Sequence, residues 1–126
     1  MMSAQATIEA YFVALTAGDL SRLLSVVTEC DHFVKIGTDA GETVYGVKDA
    51  SDYYANHVAS TRDFTIDTHR LDVEERDAVA WFSTEQTWHV TWQGTRETLE
   101  MRITGVLERE LYDWKLVQMH ASLGSA

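Results

Sequence analysis

Side chains able to move a proton, attack a carbon or hold a metal fall into few recognisable patterns along this chain. Its one cysteine, Cys30, stands between Glu29 and Asp31, where no cation favours the thiolate that a nucleophile needs. The five histidines are His32, His57, His69, His89 and His120. They form neither the i, i+4 pair of a helical metal site nor an H-x-H pair on a strand, so no metal is expected. G-x-G-x-x-G, Walker and G-x-S-x-G motifs are absent, so no cofactor built on them is expected. What is left is Tyr11, then Tyr54 and His57 three residues apart, and Glu85 at the end of the run AWFSTE. A tyrosine can donate to a developing oxyanion, and an imidazole or carboxylate can carry a proton. Whether these groups meet depends on the elements that carry them.

Ile8, Tyr11, Phe12 and Leu15 follow i, i+3, i+4, i+7, which predicts an amphipathic helix with Tyr11 on its apolar face. Gly18 reads as its stop and Asp19 as the N-cap of a second helix carrying Leu20, Leu23, Leu24 and Val27. A third helix follows Gly46, with Ala50, Tyr53, Tyr54, His57 and Val58 on one side. Between the second and third, HFVKIG and ETVYG read as short strands about a turn at Asp39-Ala40-Gly41. From about residue 63 the period becomes two. Phe64 and Ile66 share one parity and Leu71 and Val73 the other, as a β-bulge would produce. Strands follow at 78–92 and 96–110, the latter with Leu99, Met101, Ile103, Gly105 and Leu107 on one face. A last strand has Val117, Met119 and Ala121 facing one way and Leu116, Gln118 and His120 the other. Helices first and a long antiparallel meander last make an α+β domain.

The chain has 126 residues, a size that suits one domain over 1–126. Ten Lys and Arg stand against twenty Asp and Glu, with a net charge of −10 and no basic run, so nucleic acid is not an expected partner. No apolar run reaches the ~18 residues of a membrane span, and the N-terminus lacks the pattern of a secretory signal. With a single cysteine there is no intrachain disulfide, and the expected setting is the cytoplasm.

Five segments resemble the SnoaL-like and ketosteroid-isomerase-like families of the nuclear-transport-factor-2-like fold, and they occur in the same order. They are YFVALTAGDL at 11–20, KIGTDAGETVYG at 35–46, AWFSTE at 80–85, RITGVLE at 102–108 and WKLVQMHAS at 114–122. The resemblance implies a cone of three N-terminal helices packed on a strongly curved antiparallel sheet. It also implies a central apolar pocket for a small ligand, and a homodimer formed through the sheet's outer face. Two motifs depart from the family pattern: Gln118-Met119-His120-Ala121-Ser122 stands where H-x-H-x-S is common, and Thr43-Val44-Tyr45 where a tryptophan pair is common.

A ketosteroid-isomerase site needs a carboxylate base and an oxyanion hole made by a tyrosine and a protonated aspartic acid. Carried over, the tyrosine falls on Tyr11, a supporting one on Tyr54, the base on Ile36 and the acid on Gly105. Neither an isoleucine nor a glycine side chain can exchange a proton, so that activity is rejected at those positions. The family register turns Trp81, Ser83 and Glu85 inward, although by periodicity Ala80 and Phe82 make an equally good inner face. With Glu85 inward, it would be a general acid/base and Tyr11 its oxyanion donor, in a lining of Tyr54, His57, Trp81, Met101, Ile103, Gly105, Val117 and Met119. Trp88 would then face outward, towards a second subunit; the competing register places it in the pocket. Two functions follow: a non-catalytic SnoaL-like pocket protein, or an isomerase or dehydratase acting through Glu85.

Overall fold

The computed structural model describes residues 2–124. Helix α1 (Ala4–Ala17) begins where Ser3 accepts a hydrogen bond from the Ala6 amide at 3.1 Å. It ends where Gly18, at φ 69°, takes the left-handed turn that lets its amide reach the carbonyls of Ala14 and Leu15. Asp19 caps α2 (Leu20–Ser25) by accepting from the Arg22 amide at 3.1 Å. Strands β1 (Val34–Ile36) and β2 (Thr43–Tyr45) form a hairpin that leads into α3 (Gly46–Ser60). The long strands β3 (Thr61–Arg76), β4 (Val79–Trp92), β5 (Thr95–Glu110) and β6 (Asp113–Leu123) complete the chain.

The six strands make one open sheet in the order β2-β1-β6-β5-β4-β3. Neighbours from β3 to β6 pair antiparallel, and the β4–β5 hairpin closes through Gln93 and Gly94, both at positive φ. Two successive left-handed residues match the twist of a two-residue hairpin turn. The expectation of a wholly antiparallel sheet is corrected at one seam: β1 runs parallel to β6. Register shifts interrupt the β3–β4 ladder between Arg62 and Thr65 and between Thr68 and Arg70. The second falls between Ile66 and Leu71, where the change of parity predicts a bulge, and such bulges bend a sheet.

One face of the bent sheet meets the helices. Ile8, Tyr11 and Leu15 of α1, Leu23 of α2 and Tyr54 of α3 are buried against Phe82, Met101, Ile103, Leu107 and Met119. On β4 the buried set is Ala80, Phe82, Thr84 and Gln86, while Val79, Trp81, Ser83 and Glu85 are exposed. The inward placement of Trp81, Ser83 and Glu85 is therefore overturned, and Gly105 supplies the reason. It lies opposite Phe82, and a Cβ added there would come 2.5 Å from the Phe82 ring. The space left by the absent side chain holds that ring, and fixing Phe82 inward fixes the parity of its neighbours. The same phase carries Trp88 onto the helix side, so its expected outward placement is also overturned.

Strand β6 departs from the expected alternation too. A register shift at Val106–Leu107 allows Trp114, Leu116 and Val117 all to be buried, while Gln118 and His120 stay exposed. Leu116 thus faces in, against expectation. Val117 is buried but stands outside the contiguous apolar cluster.

Candidate functional site

Beside α3, the sheet and the β1–β2 hairpin enclose a cleft of about 250 Å³. Its polar groups come from the hairpin and α3, and its apolar wall from the central strands. Strand β1 turns Lys35 into it, with only 6% of the residue exposed, while Ile36 faces the opposite side of the sheet. One turn of α3 separates Tyr53 from His57, so both reach the same opening. Phe64, Trp88 and Trp92 supply the aromatic wall, and Leu99 and Met101 the floor.

Within the cleft the aromatic rings lock one another. The Phe64 and Trp88 centroids are 5.0 Å apart, and the His57 imidazole lies 5.5 Å from Trp92. The Trp88 indole donates to Gln86 Oε1 at 2.8 Å, which satisfies its one polar atom. The Tyr53 hydroxyl donates to Glu42 Oε1 at 3.3 Å, and Lys35 Nζ stands 4.6 Å from the centre of the Tyr53 ring. Beyond this cation–π contact the ammonium makes no hydrogen bond and no ion pair within 4 Å among the described residues. Burial pulls the Lys35 amine down to about 8, with Glu42 acting in the other direction. Burial likewise lowers His57 to about 4, helped by the charge of Lys35. Its Nδ1 is buried with no hydrogen-bond partner among the described residues. A neutral imidazole and a lysine ready to lose its proton therefore share one opening.

The residues singled out in the sequence separate into three groups. His57 and Met101 line the cleft. Tyr11, Tyr54, Ile103 and Met119 lie deeper, around a hollow of about 20 Å³, room for a single water. There the Tyr11 and Tyr54 hydroxyls are 2.7 Å apart, and Tyr11 also reaches Met119 Sδ at 3.6 Å. Burial raises both phenols well above their ordinary range, so they are neutral partners of one another. Trp81 and Gly105 border a larger depression of about 770 Å³ on the outer face, and Val117 borders neither. Glu85 is exposed on that outer side, opposite Arg102 in the β4–β5 register. It is carried on the opposite face of the sheet from Tyr11, which overturns their pairing as base and oxyanion donor.

Lys35 and Glu42 belong to no motif in the sequence, and the only cue to Lys35 is the alternation of β1, three residues long. Carrying over the isomerase base put the position of interest on Ile36, while the inward residue is its neighbour Lys35.

Similar architectures are known. A dehydratase candidate of the NTF2-like family from Streptomyces avermitilis superposes with a TM-score of 0.86 at 20% identity, over 97% of this chain and 94% of that one. A ketosteroid isomerase-like protein from Erwinia carotovora atroseptica gives 0.79 at 16%, over 97% and 94%. An uncharacterised protein with a cystatin-like fold from Caulobacter vibrioides gives 0.81 at 13%, over 96% and 87%. At these identities the likeness is one of fold. No curated protein matches the sequence. The SnoaL-like domain pattern, however, matches residues 4–125, the span that supplies the three helices, the open sheet and the cleft. The chain belongs to the SnoaL-like domain family.

Proposed function

We propose that this protein binds a small molecule with a largely apolar body in the cleft between α3 and the sheet. The observation that carries this reading is the burial of Lys35 and His57 inside an aromatic wall, with the Nδ1 of His57 left without a hydrogen-bond partner among the described residues. A buried polar group without a partner costs the fold on the order of 1–3 kcal/mol, and a ligand that supplies the partner recovers that cost. Small-molecule sites combine apolar walls with a few convergent polar groups, and this cleft has that make-up. Its 250 Å³ limits the occupant to roughly a dozen non-hydrogen atoms unless the mouth opens further. The outward position of Glu85 removes the carboxylate on which an isomerase or dehydratase reading rested, so no reaction through it is proposed.

Trp88 and Trp92 report on occupancy directly. A ligand in the cleft is expected to change tryptophan emission, and Trp88→Phe with Trp92→Phe should remove most of that change. Native mass spectrometry of freshly purified protein should find a bound small molecule, released on denaturation. No copurified mass, together with no response to a panel of aromatic and aliphatic compounds, would refute the reading. We also propose that two copies associate through the outer face of the sheet, where Trp81 is exposed.

A further inference from the structure

Lys35 is one of only three lysines in the chain, and the only one buried. Lys48 is exposed and pairs with Asp52 at 3.3 Å, and Lys115 donates to the Ser25 carbonyl. A lysine that simply braced the fold would hold a carboxylate or a carbonyl in the same way. Lys35 instead presents its nitrogen to the cleft over the Tyr53 ring, with no such partner among the described residues. His57, whose buried Nδ1 has no partner among the described residues, lines the same cleft.

An ammonium in a cleft could hold an anionic ligand. Asp39, Glu42 and Glu97 line this cleft, and the chain carries a net charge of −10. That field repels an approaching carboxylate or phosphate. It does not repel a neutral carbonyl compound, whose apolar body suits Phe64, Trp88 and Trp92.

We propose that Lys35 forms a reversible imine with an aldehyde or ketone bound in this cleft, with His57 as the proton carrier. The proposal rests on the small-molecule reading above and names the chemical class of its ligand. The neutral Lys35 amine adds to the carbonyl carbon; a C–N bond forms as the C=O π pair moves to oxygen. The nitrogen gives up a proton through His57 and the oxygen takes it up. A second proton passes from nitrogen to the hydroxyl, the C–O bond breaks, and water leaves as the C=N bond forms. No oxidant or reductant is consumed, and hydrolysis reverses every step. The depressed basicity of Lys35 keeps a larger fraction of it neutral near pH 7 than an exposed lysine has.

Cinnamaldehyde and hexanal serve as aromatic and aliphatic probes, each incubated with the full-length protein and sodium cyanoborohydride at pH 7. Peptide mapping then locates the reduced adduct. Lys35 is expected to be modified at least about tenfold faster than Lys48 or Lys115, as its larger neutral fraction requires. Lys35→Arg should lose that adduct while the other amines react as before. His57→Gln should slow adduct formation at Lys35 by a larger factor than it weakens the binding of cinnamyl alcohol, which has the same body without the carbonyl; an equal loss in both would assign His57 to binding alone and remove it as the proton carrier. Modification that follows exposure, with Lys48 and Lys115 ahead of Lys35, overturns the imine. If cinnamyl alcohol alters Trp88 and Trp92 emission while neither aldehyde labels Lys35, the binding reading stands and the imine falls. If no probe binds and Lys35 stays unlabelled, both fall.

Discussion

Lys35 costs the folded chain stability, and the sign of its pH dependence makes the cost measurable. Its amine titrates near 8 when folded, against 10.5 for the ordinary value. Above 10.5 it is neutral in both states and contributes nothing. Between 10.5 and 8 the unfolded chain binds a proton that the folded chain does not, so stability falls as the pH falls. Below 8 the loss is complete and constant. Lys35→Met should therefore raise stability at pH 7 by about 1–2 kcal/mol, after allowing roughly 1 kcal/mol for the lost contact with Tyr53. The gain should shrink as the pH rises from 8 towards 10.5. Urea melts at pH 7 and 9.5 test this; an equal gain at both would mean that the methionine acts by packing alone. A residue that weakens the fold yet stays in a cleft is the pattern of a functional group. Tyr11 and Tyr54 show the opposite pattern. Each hydroxyl satisfies the other at 2.7 Å beside a hollow of about 20 Å³, which describes two core aromatics with no room for a substrate.

At the scale of the elements, one glycine sets the phase of a whole strand. Gly105 leaves the gap that the Phe82 ring fills, and an added Cβ would also meet the Gln118 carbonyl at 2.8 Å. The ring could turn away, but the backbone oxygen of β6 cannot do so without disturbing the β5–β6 ladder. Gly105→Ala should cost roughly 2–4 kcal/mol by overpacking. Phe82→Leu added to it should recover only the part due to the ring; full recovery in thermal melts would show that the β6 carbonyl imposes no limit. The same strand shows what could be read in advance. The apolar stripe of the first helix, its stop and the N-cap of the second are legible, since Gly18 and Asp19 act locally. So is the change of parity in β3, because a bulge leaves a trace in the alternation. The parity of β4 is not, because Trp81 and Phe82 are both large and apolar, and the choice between them depends on a glycine more than twenty residues away. The burial of Leu116 was hidden for a similar reason: the register shift lies in its pairing with β5. A lysine on a three-residue strand likewise carries no period of its own, so the group at the centre of the candidate site was the least visible.

With Trp88 turned towards the helices, a second subunit must be met by a different residue of the outer face. Trp88 cannot supply the outer contact, because it packs against Phe64. Trp81 can: it is 46% exposed on the outer face, beside a depression of about 770 Å³ that Gln118 and His120 also border. A two-fold contact would set the same patch of each copy against the other, so one substitution acts twice. Association must bury on the order of 800 Å² per partner to be stable, and it must do so between two chains of net charge −10. Asp72 and Glu74 border that depression, so part of the repulsion falls at the interface itself. Screening with salt should therefore favour the dimer, the opposite of what an interface held by ion pairs would do. In sedimentation velocity the proportion of dimer should rise between low and moderate ionic strength. Trp81→Asp should give a monomer at both, by removing the apolar centre and adding a charge to each side, while leaving the cleft and its tryptophan emission intact. A wild-type chain that stays monomeric at micromolar concentration in moderate salt would refute the proposed association, and the exposed Trp81 would then need another partner.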